Sequence, residues 1–148
     1  MMTFTLAAVA ALALAGPSGD WEIKKVGTAT RLYTADGPAA FQCQKGALRA
    51  IISLEGDVEK GLRRPLKRVK ALEATVQVGD QVEAGSVGYY KNAKLVAPTT
   101  ERAARILFNA AIRGDDAELA SPSLEAVSIV WPEADTQKFR EFARACEL

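Results

Sequence analysis

The stretch Ala39–Leu54, AAFQCQKGALRAIISL, decides the fold. Phe41 and Cys43 fall on one side of an extended chain and Gln42 and Gln44 on the other, because successive side chains of a strand alternate. Lys45-Gly46 interrupts the pattern, and Leu48, Ala50, Ile52 and Leu54 resume it. Two strands folded back at Lys45-Gly46 follow, with Cys43 turned inward. The only other cysteine, Cys146, recurs at helical spacing with Phe139, Phe142 and Ala143, on the apolar stripe of a closing helix. One bond between the two cysteines would join the first hairpin to the tail.

Upstream, MMTFTLAAVAALALAG carries an apolar run from Phe4 to Ala15, followed by Pro17, Ser18 and Gly19. About a dozen apolar residues are too few to span a bilayer, and Ala13-Leu14-Ala15 offers the small side chains of a cleavage site. Residues 1–15 are therefore expected to be a secretory signal peptide, and 16–148 one exported β-rich domain, periplasmic or secreted. In an oxidising compartment two cysteines are expected to pair, so the bridge is Cys43 to Cys146.

Between signal and hairpin, Trp21, Ile23 and Lys25 alternate in an opening strand, and Thr30–Thr34 forms a second before the turn Ala35-Asp36-Gly37-Pro38. Glu55–Gly61 reads as a charged loop. Val69–Val78 alternates as a strand with one buried face, Gly79-Asp80 turns the chain, and shorter strands are expected at Ser86–Tyr90 and Lys94–Val96. Thr99 or Thr100 can cap a helix over Glu101–Arg113, which Gly114 ends; its apolar stripe is Ala104, Leu107, Phe108, Ala111 and Ile112. Extended pieces at Ala117–Ala120 and Leu124–Trp131 follow, the second alternating throughout. Asp135 caps the last helix. The fold class is α+β, mainly antiparallel β and sandwich-like, with a central helix at about 100–113 and a C-terminal helix at about 135–147.

An export signal, Gly-Asp-Trp at Gly19–Trp21, many short strands, a helix before the last strands and a Phe-rich close together resemble the invasion-associated locus B proteins. These are small periplasmic domains of alphaproteobacteria. The resemblance covers most of the mature chain at the level of layout. It implies an exported β-rich fold tied to envelope or host contact, and no catalytic residues.

Of 148 residues, 49% are hydrophobic and 25% charged, as in an ordinary globular domain, and the formal net charge of +1 gives no overall pull toward nucleic acid. Histidine is absent, which removes the commonest neutral-pH acid, base and metal ligand. No G-x-S-x-G and no C-x-x-C occurs, so no nucleophile or redox pair is assigned, and no metal or cofactor is expected. Glu55, Asp57 and Glu59 alternate, as do Asp116 and Glu118, but neither group has calcium-loop spacing.

Local charge is left as the functional signal. Lys60, Arg63, Arg64, Lys67, Arg68 and Lys70 crowd one segment with no acid among them and Pro65 in its middle. Such a run is either a solvated hairpin that blunts a sheet edge or an anion-binding loop. Tyr89 and Tyr90 are adjacent, so on a strand one ring faces in and the other out, and the outer one is a candidate for stacking on a sugar or partner. The leading expectation is a non-enzymatic binding domain for an anionic glycolipid, glycan or membrane surface. The alternatives are a structural accessory packed on an envelope protein and, behind it, a carboxylate-dependent hydrolase. The oligomeric state is open.

Overall fold

The computed structural model describes residues 20–67 and 69–148. The expected signal peptide and Arg68 lie outside them. Among the described residues, nine strands and three helices follow one another as β1 Trp21–Val26, β2 Ala29–Thr34, β3 Ala39–Gln44, β4 Ala47–Ser53, α1 Val58–Leu62, β5 Val69–Val78, β6 Gln81–Tyr90, β7 Leu95–Pro98, α2 Glu101–Arg113, β8 Ala117–Ser121, β9 Leu124–Ile129 and α3 Thr136–Ala145. All pairings are antiparallel, in the order β1-β2-β3-β4-β7-β6-β5-β8-β9. The fold is α+β and mainly strand. Among the described residues the meander β1–β4 meets the other five strands through the pairs Ile52↔Val96 and Ser53↔Leu95, continued by the Leu54 amide donating to the Lys94 carbonyl at 2.9 Å.

The founding hairpin folds as its sequence dictates. Gln44 pairs with Ala47, leaving Lys45 (φ 54°) and Gly46 (φ 80°) as a two-residue turn with both φ values positive. That turn matches the twist of the flanking strands. Phe41, Leu48, Ala50 and Ile52 then share the core face, each 2% exposed or less. Cys43 is bonded to Cys146 across 103 residues, with Cα atoms 5.8 Å apart.

Helices α2 and α3 cover that face. Thr100 caps α2 through a 3.2 Å bond from the Ala103 amide, and Glu101 Oε1 accepts from the Leu48 amide at 3.3 Å, which ties the helix start to β4. Asp135 caps α3 in the same way, through Lys138. Phe41 packs against Phe108 at 5.2 Å between ring centroids and against Trp131 at 5.6 Å, and Trp21 packs edge-on to Phe139 at 4.7 Å. Both indoles are buried with their N–H groups satisfied, Trp21 donating to the Glu133 carbonyl and Trp131 to that of Asp115, each at 2.9 Å.

A smaller cluster lies on the back of the sheet, where Ala40, Val58, Ala93 and Leu95 are buried beside Tyr33, Ile51, Leu62 and Tyr90. Its cover is α1, where the sequence suggests only a charged loop. Five residues are too few to show helical periodicity, and the start is set by Asp57, whose carboxylate accepts from the Lys60 amide at 3.1 Å. Gly61 lets α1 sit close, because a Cβ there would lie 2.6 Å from Leu95 Cδ2 and 2.9 Å from the Ala93 carbonyl oxygen.

Other departures have local causes. β6 starts at Gln81 rather than Ser86, since its first half is polar and small yet keeps the β5 ladder from the turn onward. Ile112 is 39% exposed, because it lies at the rim of the buried arc of α2, about 40° beyond Phe108. The strand expected to run to Trp131 stops at Ile129, and the last helix spans Thr136–Ala145 rather than 135–147. The even alternation expected of β9 is broken by a bulge. Leu119 pairs with Val127 but Ser121 pairs with Leu124, so Leu124 and Val127, three apart, both pack on the core.

Candidate functional site

Tyr89 and Tyr90 take opposite faces of β6, both half-buried. Tyr90 packs into the back cluster and Tyr89 onto the main core. In the β5–β6 ladder Tyr89 stands opposite Lys70, which puts the lysine stem and the ring side by side on the core face. Past the edge of α2 this part of the face is uncovered, and two adjoining grooves open there with Tyr89 and Leu124 lining both.

The smaller groove, about 400 Å³, runs between the ends of β5 and β6 and the β8–β9 turn. Lys70 and Lys91 are its charged residues; the rest of the lining is Val69, Leu72, Tyr89, Ser123 and Leu124. The larger, about 540 Å³, runs along β9 toward Pro38 and the segment 53–56, with Lys94, Glu55 and Glu125 as its charges. Lys70, Lys91 and Lys94 are exposed, and none is in an ion pair among the described residues. The smaller groove is thus a positively charged recess with an aromatic wall, chemistry suited to an anion that also offers a flat apolar surface.

The basic run divides. Arg63 pairs with Glu59 at 3.9 Å and Arg64 with Glu55 at 2.8 Å, both around α1, the cover of the back face. Lys60 and Lys67 are exposed, and among the described members of the run it is Lys70 that lines the groove. The structure thus joins one residue from the charge pattern to one from the tyrosine pair.

Lys91, Lys94 and Leu124 were not legible as site residues. The signal for the first two is the segment Tyr89-Tyr90-Lys91-Asn92-Ala93-Lys94, which interleaves aromatic and basic side chains. It gains meaning only with Lys70 set beside it.

The alternating carboxylates Glu55, Asp57 and Glu59 have local partners. Asp57 caps α1, and Glu55 and Glu59 pair with arginines as above. No three His, Cys, Asp or Glu side chains converge among the described residues. Among the described residues, two groups titrate away from their ordinary range, both on β2 at the back of the sheet. Burial pushes the Arg31 guanidinium down, while its Nε and Nη2 donate to Gln42 Oε1 at 3.1 and 2.8 Å. Burial pushes the Tyr33 phenol up, helped by a hydrogen bond to Glu22 and the charges of Glu22 and Glu59.

Comparison with protein-family models, curated proteins and solved structures finds no match to this chain. The Cys43–Cys146 bridge fits an oxidising, exported environment. No helix among the described residues is long and apolar enough to cross a membrane.

Proposed function

We propose that this chain is a non-enzymatic, exported binding domain, periplasmic or secreted after loss of residues 1–15, which holds an acidic saccharide in the groove at Tyr89. The observation that carries the reading is the cross-strand pairing of Lys70 with Tyr89, with Lys91 on the same recess and no carboxylate lining it among the described residues. A sugar ring stacks its C–H face on a phenol, and the two ammonium groups meet a carboxylate or phosphate of the same unit. The shared chemistry covers a free acidic glycan and a glycolipid head group. The layout-level likeness to invasion-associated locus B proteins supports an envelope setting.

The test is titration of the disulfide-closed protein with an acidic oligosaccharide such as an oligogalacturonate, at low and at high salt. Binding should weaken with salt, and Lys70→Gln with Lys91→Gln should weaken it at least about tenfold, the effect of losing about 1.4 kcal/mol. Replacing Arg63, Arg64 and Lys67 by Gln should leave it within about twofold. If the loop variant loses binding and the groove variant keeps it, the anion site belongs to the basic run around α1. If neither binds differently, the saccharide reading fails.

A further inference from the structure

The two edges of the sheet are not alike. β1, at one edge, carries Lys24 and Lys25, and both curl over their own sheet: Lys24 Nζ lies 5.9 Å from the Tyr33 ring centroid and Lys25 Nζ donates to Thr30 Oγ1 at 3.1 Å. Lysines on an edge strand discourage another chain from pairing there. β9, at the other edge, reads LEAVSI, with no lysine, arginine or proline, and its one pairing among the described strands is with β8.

The larger groove lies along this unguarded edge. Five consecutive residues of β9, 124–128, line it. With the bulge breaking the alternation of side chains, the groove follows β9 over this length, and because β9 is the last strand of the sheet its N–H and C=O groups on the side away from β8 meet no other strand among the described residues. The opposite wall is Pro38 with the segment 53–56, and the floor is Tyr89, Leu124 and Val127, all half-buried. The bulge that turns Leu124 and Val127 to one face builds that floor. Glu125 is exposed and in no ion pair among the described residues.

From this geometry we infer that β9 receives an extended peptide segment of another protein as a tenth strand. The occupant places an apolar side chain against Tyr89, Leu124 and Val127 and a basic one beside Glu125. A row of backbone donors and acceptors at strand spacing is matched in full only by another backbone, and a walled slot admits a single extended segment more readily than a folded edge. The volume of about 540 Å³ lies within the range of sites that hold a ligand largely buried. This inference does not rest on the saccharide reading, whose lysines 70 and 91 line the other groove.

The test begins with selection of phage-displayed random linear dodecapeptides on the immobilised, disulfide-closed protein, followed by amide exchange with the enriched peptides synthesised free. Enriched peptides should pair an apolar residue with Lys or Arg at alternate positions. Their binding should slow exchange at β9 at least tenfold and leave Lys24 and Lys25 of β1 unchanged. Ala126→Pro should abolish capture, and the exposed change Glu125→Lys, which puts no load on folding, should weaken basic peptides about tenfold. Lys70→Gln with Lys91→Gln should leave capture intact, which separates this outcome from failure of the saccharide site. No enrichment over bare support, protection mapped away from β9, unchanged affinity with Glu125→Lys, or protection of β9 by self-association of the chain alone would each overturn the inference.

Discussion

The two faces of the sheet are held by different means. On the core face, six aromatic side chains (Trp21, Phe41, Phe108, Trp131, Phe139 and Phe142) interlock under α2 and α3, and a disulfide ties β3 to the end of the chain. On the back, four buried residues of small or middling size sit under a five-residue helix, flanked by Tyr90 and by Tyr33, whose hydroxyl meets Glu22 at the rim. The first face is stabilised by apolar area and a covalent link; the second by close approach and a few polar pairings. The grooves open where the core face runs out of helix, so the stable half of the molecule positions the candidate site without being consumed by it.

Breaking the core face should cost most. Replacing both Cys43 and Cys146 by Ala frees a loop spanning 103 residues, which in the chain-entropy model lowers stability by about 4–5 kcal/mol. Urea unfolding of the bridged and double-Ala proteins checks this. A loss under about 1 kcal/mol would mean that the aromatic cluster alone fastens the tail, and that the two faces differ less than the bond suggests.

The core face was legible because its signals are periodic. Phe41, Cys43, Leu48, Ala50 and Ile52 announce a two-residue period, and Ala104, Leu107 and Phe108, like Phe139 and Phe142, a helical one. The back face was not. Ala40 and Leu95 look like ordinary strand residues until α1 covers them, and α1 is specified by a cap at Asp57 and a close approach at Gly61 rather than by a stripe. The candidate site was half legible, since Lys70 and Tyr89 stood out for different reasons and on different segments. Their meeting follows from register: a turn at Gly79-Asp80 pairs Val78 with Gln81, and counting outward brings Lys70 to Tyr89. That count needs β6 to be ten residues long, and its polar first half, Gln81-Val82-Glu83-Ala84-Gly85, hides it.

Gly61→Ala sharpens the comparison from the other side. Alanine favours a helix over glycine by up to about 1 kcal/mol, but its Cβ meets the Leu95 side chain and, less forgivingly, the Ala93 carbonyl. Overpacking of this kind costs about 1–3 kcal/mol, so the net change should be a loss of about 1 kcal/mol. The loss should be read locally, as faster amide exchange in α1 and at the Val58 amide, which donates to the Gly37 carbonyl at 2.9 Å. If exchange under the aromatic cluster quickens by the same factor, the back cluster is not a separate unit.

The finest test is the titration of Tyr33, whose phenol reports the polar rim of the back face. Tyr33 stands opposite Glu22 in the β1–β2 ladder, and burial first, then the hydrogen bond and charge of Glu22, hold its pKa above the ordinary tyrosine value of 10.0, with Arg31 pulling the other way. A raised pKa means that the folded chain keeps a proton the unfolded chain has begun to release. The contribution is therefore fully present below the ordinary tyrosine range and is lost as pH rises through the folded value. Stability of the native protein should fall more steeply above about pH 10 than that of Tyr33→Phe. Difference absorbance between those two proteins isolates this tyrosine from Tyr89 and Tyr90. Glu22→Gln should then lower the midpoint without returning it to the ordinary value, because burial, the larger cause, remains. A midpoint that Glu22→Gln leaves in place would show that desolvation alone sets the shift, and that the rim of the back face is held by packing, as the core face is, rather than by charge.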